Sequence, residues 1–389
     1  MFIVFLSNFF NHHQKGISDE LYRKTDKFSF ISTSEMSEER KLLGYHNGTS
    51  PCYVHKYFSE YKKQLRRDIR MCDVLIIGSA PAFLFFPHLL SPNKITIRYS
   101  ERPFKTKSTL LKRIYRYFKY SVLRFIENNV FLLSAGAYTA GDYNQYSLYK
   151  ETAFKWGYFP ETKHYKIEDV IKNKHRRSIL WCGRFIDWKH PDDAVYAARQ
   201  LKSEGYEFTL TIVGTGSMED ELKALVKDFQ LSDCVNFTGS MPPEAVRTYM
   251  ESSEVFLFTS DKQEGWGAVL NEAMNSGCAV IASHEIGSVP YLIEHKKNGL
   301  IYESKNRNSL VDSIKFLLDK PQEQLKLGMS AYHTIVDLWN AEVATDRLLT
   351  LLQAVQDKKP LDLYQSGPCS RAEILKDGCL SELTGNSTL

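Results

Sequence analysis

The chain lacks the marks of several functional classes. Its seven cysteines, at 52, 72, 182, 234, 278, 369 and 379, form no C-x-x-C pair and no zinc-site spacing. An odd, scattered set reads as reduced thiols of a cytosolic protein, not as a disulfide or metal framework. No long apolar run is free of breakers. Residues 74–93 are uncharged and as long as a membrane span, but Gly78, Pro81, Pro87 and Pro92 interrupt them, so strand, loop and short helix are expected there. Residues 1–10 are apolar without a basic leader or a small-residue cleavage site, so no signal peptide is expected. The net charge is only +4, which confines any basic character to local clusters.

What is present describes a folded protein of two domains. With 389 residues, 43% of them hydrophobic and 13% aromatic, the chain can bury two cores of ordinary size. Apolar, β-rich runs recur at 2–6, 28–32, 73–78, 95–99 and 130–134, and again at 178–182, 208–213, 235–239, 255–259, 279–282 and 299–302. Helical stretches separate them, so each block reads as a Rossmann-like parallel sheet buried on both faces. The polar residues 163–177 are the expected linker. The expected domains are 1–165 and 166–356, with 357–389 as a terminal segment. Helices are expected at 309–318 and 321–356.

Ligands of open α/β sheets sit beyond the carboxyl ends of the strands, which directs attention to the loops there. The loop over residues 7–16 holds His12 and His13, with a helix expected from Ser18. The fourth run ends at Glu101 and Arg102, candidates for ligand contact, with a plain surface ion pair as the alternative. Residues 102–124 carry eight Lys or Arg and no acid, interleaved with Tyr, Phe and Leu at helical spacing. Such a helix suits an anionic membrane surface, or packs its aromatic stripe into the domain. No nucleic-acid motif accompanies it, so nucleic acid is not an expected partner.

The most informative stretch is 264–290, EGWGAVLNEAMNSGCAVIASHEIGSVP. It reads as loop, helix from Gly267 or Ala268 to Ser276, cap at Gly277, then strand. Glu264 falls in the loop and Glu272 about two turns into the helix. The amides around Gly265, Trp266, Gly267 and Ala268 would present an anion site at the helix start. A diphosphate flanked by two hydroxyl-rich sugars would fit, one carboxylate to each sugar.

These residues resemble the E-x7-E signature of the retaining glycosyltransferases of family 4. The intervening glycines, the E-A-M-x-x-G and the V-I-A stand in register. Upstream, GRFIDWKH is similar to the family's G-R-x-x-x-x-K-G, with Arg184 and Lys189 in place and His190 where glycine is usual. The I-V-G-x-G turn is matched by Gly214 and Gly216. The resemblance implies an α/β protein of the GT-B fold, two Rossmann-like domains facing each other across a deep cleft, with acceptor on the first, donor on the second, and the terminal segment returning to the first domain. It implies a nucleotide-sugar donor and a glycan or polyprenyl-linked acceptor in capsule, O-antigen or other surface polysaccharide synthesis. Glu264, Arg184 and Lys189 become the catalytic candidates. Glu272, Gly265, Trp266, Gly267, Ala268, Gly214 and Gly216 become the donor-binding ones. His12, His13, Glu101 and Arg102 become acceptor candidates; the family's glycine pair is missing from the first loop. With no D-x-D in the chain, no metal or other cofactor is expected. The expected location is the cytoplasm, at the inner face of the cell membrane if residues 102–124 touch lipid. A GT-B epimerase and a non-catalytic sugar-nucleotide-binding subunit at the membrane remain as alternatives.

Overall fold

A computed structural model describes the chain except for residues 37–49, 92, 106–108, 110, 113, 119, 121–128, 376–378 and 386–389. The chain divides into two units. The first comprises Met1–Glu161 with Asn340–Lys376, and the second Thr162–Trp339 with Asp377–Leu389.

The first unit is built on seven parallel strands: β1 (Phe2–Ser7), β2 (Lys27–Ser32), β3 (Val54–Lys56), β4 (Val74–Ile77), β5 (Ile95–Ser100), β6 (Val130–Ala135) and β7 (Ala153–Trp156). Their order is β3-β2-β1-β4-β5-β6-β7. The central strands pair in unbroken register, Phe5 with Phe30 and with Ile76. They are apolar on both faces because helices cover both sides. The second unit has six strands: β8 (His175–Cys182), β9 (Thr209–Val213), β10 (Val235–Gly239), β11 (Ser253–Phe258), β12 (Ala279–Ser283) and β13 (Leu300–Tyr302), ordered β10-β9-β8-β11-β12-β13 and again parallel. Its core gathers Trp181, Phe185, Leu210, Ile212, Leu257, Ile281 and Ile314 between sheet and helices.

Four expectations give way to the structure. The helix expected from Ser18 starts at His12, because Asn11 forms a capping box with Gln14: the Asn11 side chain accepts the His13 amide, and the Gln14 side chain accepts the Asn11 amide at 3.3 Å. His12 and His13 therefore occupy its first turn, not a loop. Gly16, inside that helix, allows close packing: a Cβ there would lie 3.1 Å from Ala341 Cβ.

Residues 163–177 are not a linker but part of the second unit. They hold the helix Ile167–Lys172 and the start of β8. Lys163 exchanges two hydrogen bonds with the Asn275 side chain, at 2.8 and 3.0 Å. Buried Lys174 donates to the carbonyls of Met250 and Ser253 at 2.9 and 2.8 Å, satisfying the end of the helix Pro243–Ser252.

The long helix expected over 321–356 breaks in two, Pro321–Asp337 and Ala341–Gln356. Trp339 is buried in the second unit, while Asn340 caps the next helix by accepting the Val343 amide at 2.9 Å. That helix belongs to the first unit, so the returning segment is 340–376 and not 357–389; residues 377–389 fall with the second unit. Finally, the signature helix is Val269–Asn275, which places Glu272 in its first turn. Gly267, at φ +85°, delays the start.

Candidate functional site

In an open parallel sheet, the crevice lies where neighbouring strands send their connections to opposite sides. In the second unit those neighbours are β8 and β11. The loop after β8 carries Arg184 and Lys189; the loop after β11 carries Glu264. The topology alone brings the two sequence motifs together.

Local bonds fix the two loops to each other. The Asp261 amide donates to the Trp188 carbonyl at 3.0 Å. Thr259 Oγ1 lies 2.8 and 2.9 Å from the carbonyl oxygens of Lys189 and His190, and accepts the Trp181 indole N–H at 2.8 Å. On this frame Lys189 Nζ bonds Glu264 Oε2, the side chains being 14% and 12% exposed. Ser260 Oγ donates to the same oxygen at 3.2 Å. Lys189 Nζ also stands 4.8 Å from the Trp188 ring centre, with the exposed Arg184 guanidinium 6.0 Å from that ring. Two cations and one carboxylate thus share one loop junction.

The glycines have packing reasons. At Gly214, φ is +139° and a Cβ would sit 1.9 Å from the Gly183 carbonyl oxygen; at Gly216 it would sit 2.4 Å from that of Phe185. Both hold the Arg184 turn flush against the turn after β9, and the Phe185 amide donates to Thr215 at 2.9 Å. A Cβ on Gly267 would reach within 2.3 Å of Phe258, so that backbone lies flat on the ring. Among the described residues, the amides of Gly265, Gly267 and Ala268 have no hydrogen-bond acceptor. The Trp266 side chain points inward: it is fully buried, donates to Asn271 Oδ1 at 2.9 Å and packs 5.9 Å from Trp339.

Glu272 stands in the first turn of the helix Val269–Asn275. Burial pushes its pKa up to about 7; Arg247 pulls it down and Glu244 adds to the rise. Burial, with Glu272 adding, also pushes the Cys182 thiol up to about 12.

In the first unit, β1 and β4 are the corresponding neighbours. His12 and His13 lie after β1, their ring centres 3.9 Å apart, and His13 stacks on Tyr158 at 5.4 Å and 9°. The Tyr158 hydroxyl donates to Glu101, which also pairs with Lys105. The structure therefore gathers His13, Tyr158 and Glu101. It does not add Arg102 to them. Arg102 is buried and forks onto Asp142 at 3.1 and 3.3 Å, 5.1 Å from the Tyr138 ring, which makes it a part of the core.

Part of the basic stretch 102–124 falls outside the described residues. Of the rest, Tyr120 is buried while Leu111, Ile114, Tyr115, Tyr117 and Phe118 are exposed. Among the described residues, no helix is long and apolar enough to cross a membrane.

With this geometry in place, comparison with known proteins is informative. Residues 164–334 match the family Glycosyl transferases group 1. The matched residues include the junction of Arg184, Lys189 and Glu264, and Glu272 beyond it. The amylovoran biosynthesis glycosyltransferase AmsK of Erwinia amylovora is 29% identical over 204 residues, 51% of this chain and 49% of that protein. The Campylobacter jejuni N-acetylgalactosamine-N,N'-diacetylbacillosaminyl-diphospho-undecaprenol 4-alpha-N-acetylgalactosaminyltransferase is 31% identical over 154 residues, 39% of this chain and 40% of the other. The chain spans about half the length of the curated relatives it matches, or less. The crystal structure of Anabaena HepE in complex with UDP aligns at a TM-score of 0.68 and 14% identity, covering 91% of this chain and 100% of that one. At that identity the likeness speaks for the fold, which is GT-B.

Sequence reasoning missed Thr259, Ser260 and Asp261, which anchor and flank Glu264. Their signal was their position, directly after a buried strand at the switch point. It also left His190 without a role. That residue holds a left-handed conformation, φ +48° and ψ +52°, which costs a non-glycine residue about 1 kcal/mol.

Proposed function

We propose that this protein is a retaining glycosyltransferase that moves a sugar from a nucleoside-diphosphate sugar to a glycan or lipid-linked acceptor in surface polysaccharide synthesis. The observation that carries the reading is the Lys189–Glu264 pair at the β8/β11 switch point, with Arg184 on one side and the open amides of Gly265, Gly267 and Ala268 on the other. Breaking the bond between C1 and the phosphate oxygen leaves growing negative charge on the diphosphate. Fixed cations and amides stabilise it without reorganising. Arg184 is suited to fork onto phosphate oxygens and Lys189 to act as a point charge, so no divalent metal is needed. Glu264, released from Lys189 when the phosphates arrive, accepts hydroxyls of the donor sugar, and Glu272 those of the ribose. The acceptor hydroxyl attacks C1 from the face that the leaving group departs, and its proton passes to the leaving phosphate oxygen. That path retains configuration and requires no separate base.

Relatives support this context. The two named above are a polysaccharide biosynthesis enzyme and a transferase whose name carries a diphospho-undecaprenol acceptor, and HepE was crystallised with UDP. The exposed aromatics at 111–118, within a segment rich in Lys and Arg, suit contact with the anionic surface that presents such an acceptor. Cosedimentation with vesicles containing anionic lipid, and none with neutral vesicles, is the expected result for that contact.

The test of the function is turnover of a panel of nucleotide sugars by the purified protein in excess EDTA. Consumption of one donor is expected. Silence relieved by a divalent ion overturns the metal-free account; silence in both conditions overturns the transferase.

A further inference from the structure

His190 stands where the resembled motif has glycine, directly after Lys189. Its left-handed backbone is the end of the turn Asp187–Lys189 and the start of the helix Pro191–Ser203. From there the imidazole Nε2 faces Asp261 Oδ2 at 3.7 Å, both side chains mostly buried at 18% and 11% exposure. Asp261 lies three residues before Glu264 and is held by its own bonds, its amide to Trp188 O at 3.0 Å and its carboxylate to the Gln263 amide at 2.9 Å. Lys189 and Glu264, the two partners of the proposed donor site, are thus each followed or preceded by a member of a second charge pair joining the same loops.

We propose that His190 and Asp261 act as a positioning clasp, holding the loop after β8 against the loop after β11 so that Lys189 and Glu264 meet the donor diphosphate at the correct separation. The idea deepens the function proposed above and rests on it. Neither residue touches donor; both act through Lys189 and Glu264.

The clasp works when the imidazole is charged. The charged groups around it favour that form. Asp261 faces it from the β11 loop, Asp192 and Asp193 lie on its own helix, and Arg307, from the helix Arg307–Asp319, is engaged with both of those aspartates at 2.6 Å. Lys189 is turned to Glu264. Asp261 above all raises the His190 pKa, against a lowering by burial and with help from Asp193 and Asp192. For Asp261 itself, burial works upward but His190 and the Gln263 amide outweigh it and hold the carboxyl low. The clasp is therefore closed below the ordinary imidazole range and opens as pH rises through the elevated His190 value. Donor KM should rise on that alkaline side while kcat changes little, because the reacting groups are intact.

The experiment measures donor kcat and KM from pH 5.5 to 9 for the wild type, His190→Gly, Asp261→Asn and His190→Asn. It adds an NMR titration of the His190 ring in wild type and Asp261→Asn. Glycine suits the left-handed backbone and asparagine tolerates it, so folding is preserved. In the wild type, KM is expected to rise by about two- to fivefold across the alkaline limb, the range of a partly exposed ion pair. His190→Gly and Asp261→Asn should have the high KM at every pH, and the His190 midpoint should fall in Asp261→Asn. His190→Asn, uncharged, should fail to restore the low KM. A wild-type pH profile in His190→Gly, or an unmoved His190 midpoint in Asp261→Asn, overturns the clasp alone. A wild type that turns over no nucleotide sugar overturns the function beneath it and the positioning role together.

Discussion

Two ion pairs of similar chemistry sit in the two units and do different work. Arg102 and Asp142, each 5% exposed, are enclosed: a forked bond joins them, the Phe104 amide adds to the carboxylate at 3.1 Å, and the Tyr138 ring lies beside the guanidinium. Lys189 and Glu264, at 14% and 12%, are joined by a single contact plus one serine, on loops at a switch point with open amides beside them. The first pair is closed inside a core and its value is structural. The second can exchange its partner for a ligand. A charged residue at the carboxyl end of a strand is therefore not enough to mark a site; what matters is whether it is sealed in a core or stands on switch-point loops beside open amides.

The largest expected effect comes from breaking the closed pair. Asp142→Ala leaves Arg102 buried without its anion and should cost about 3–5 kcal/mol, read as a lower urea midpoint. Lys189→Ala should cost less by the same measure, because Glu264 keeps Ser260 and stands on a loop junction less enclosed than the Arg102 pair. Equal losses would erase the distinction. Next is Gly267→Ala, where a positive φ and a Cβ within 2.3 Å of Phe258 act together. About 2–3 kcal/mol of stability should go, and turnover should go with it, since Glu264 and the open amides share that loop. Arg184→Ala should leave stability alone and lower turnover more than tenfold, about 1.4 kcal/mol of transition-state stabilisation. Glu272→Gln is the smallest and sharpens the comparison further. Burial raises the folded-state pKa of Glu272 from 4.5 to about 7, so between those values the folded chain keeps a proton that the unfolded chain has lost. Stability falls as pH rises through that window. The Gln variant should therefore melt higher than wild type at pH 8, by a few degrees in a thermal scan. It should also bind UDP or GDP more weakly there, by calorimetry. Wild-type binding below pH 7 should release a proton; a Gln variant that still releases it would place the titration elsewhere.

The strands of both sheets were legible because a parallel sheet buried on two faces writes itself as uninterrupted apolar runs. Two strands were not. β3 is only Val54–Lys56 at an edge, and β7, AFKW, carries a lysine in a four-residue strand, so neither is long enough to show a period. The helix start at His12 was hidden because residues 7–16 were read as one loop, although Asn11 and Gln14 form a capping box and Gly16 packs closely against Ala341. Residues 163–177 were read as a linker from their charge, yet the residues that matter there are Ile167, in contact range of Gly277, and Lys174, whose amine is buried on carbonyls. The break at Trp339 and Asn340 leaves only a weak mark, because both flanking helices share good helix formers. In the candidate site, Arg184, Lys189, Glu264 and Glu272 were legible from motif spacing. His190, Thr259, Ser260 and Asp261 were not, since their part depends on β8 and β11 being neighbours although more than 70 residues separate the loops.

The most direct measurement is the turnover of Glu264→Gln beside that of wild type, with the same donor in EDTA and with thermal midpoints recorded on the same samples. Glutamine keeps the shape of the side chain and removes the charge that holds Lys189 and accepts sugar hydroxyls. A fall of more than about tenfold in turnover, with the midpoint unchanged, is the predicted result. Wild-type turnover in that variant would contradict the assignment of the Lys189–Glu264 junction as the place where the sugar is transferred.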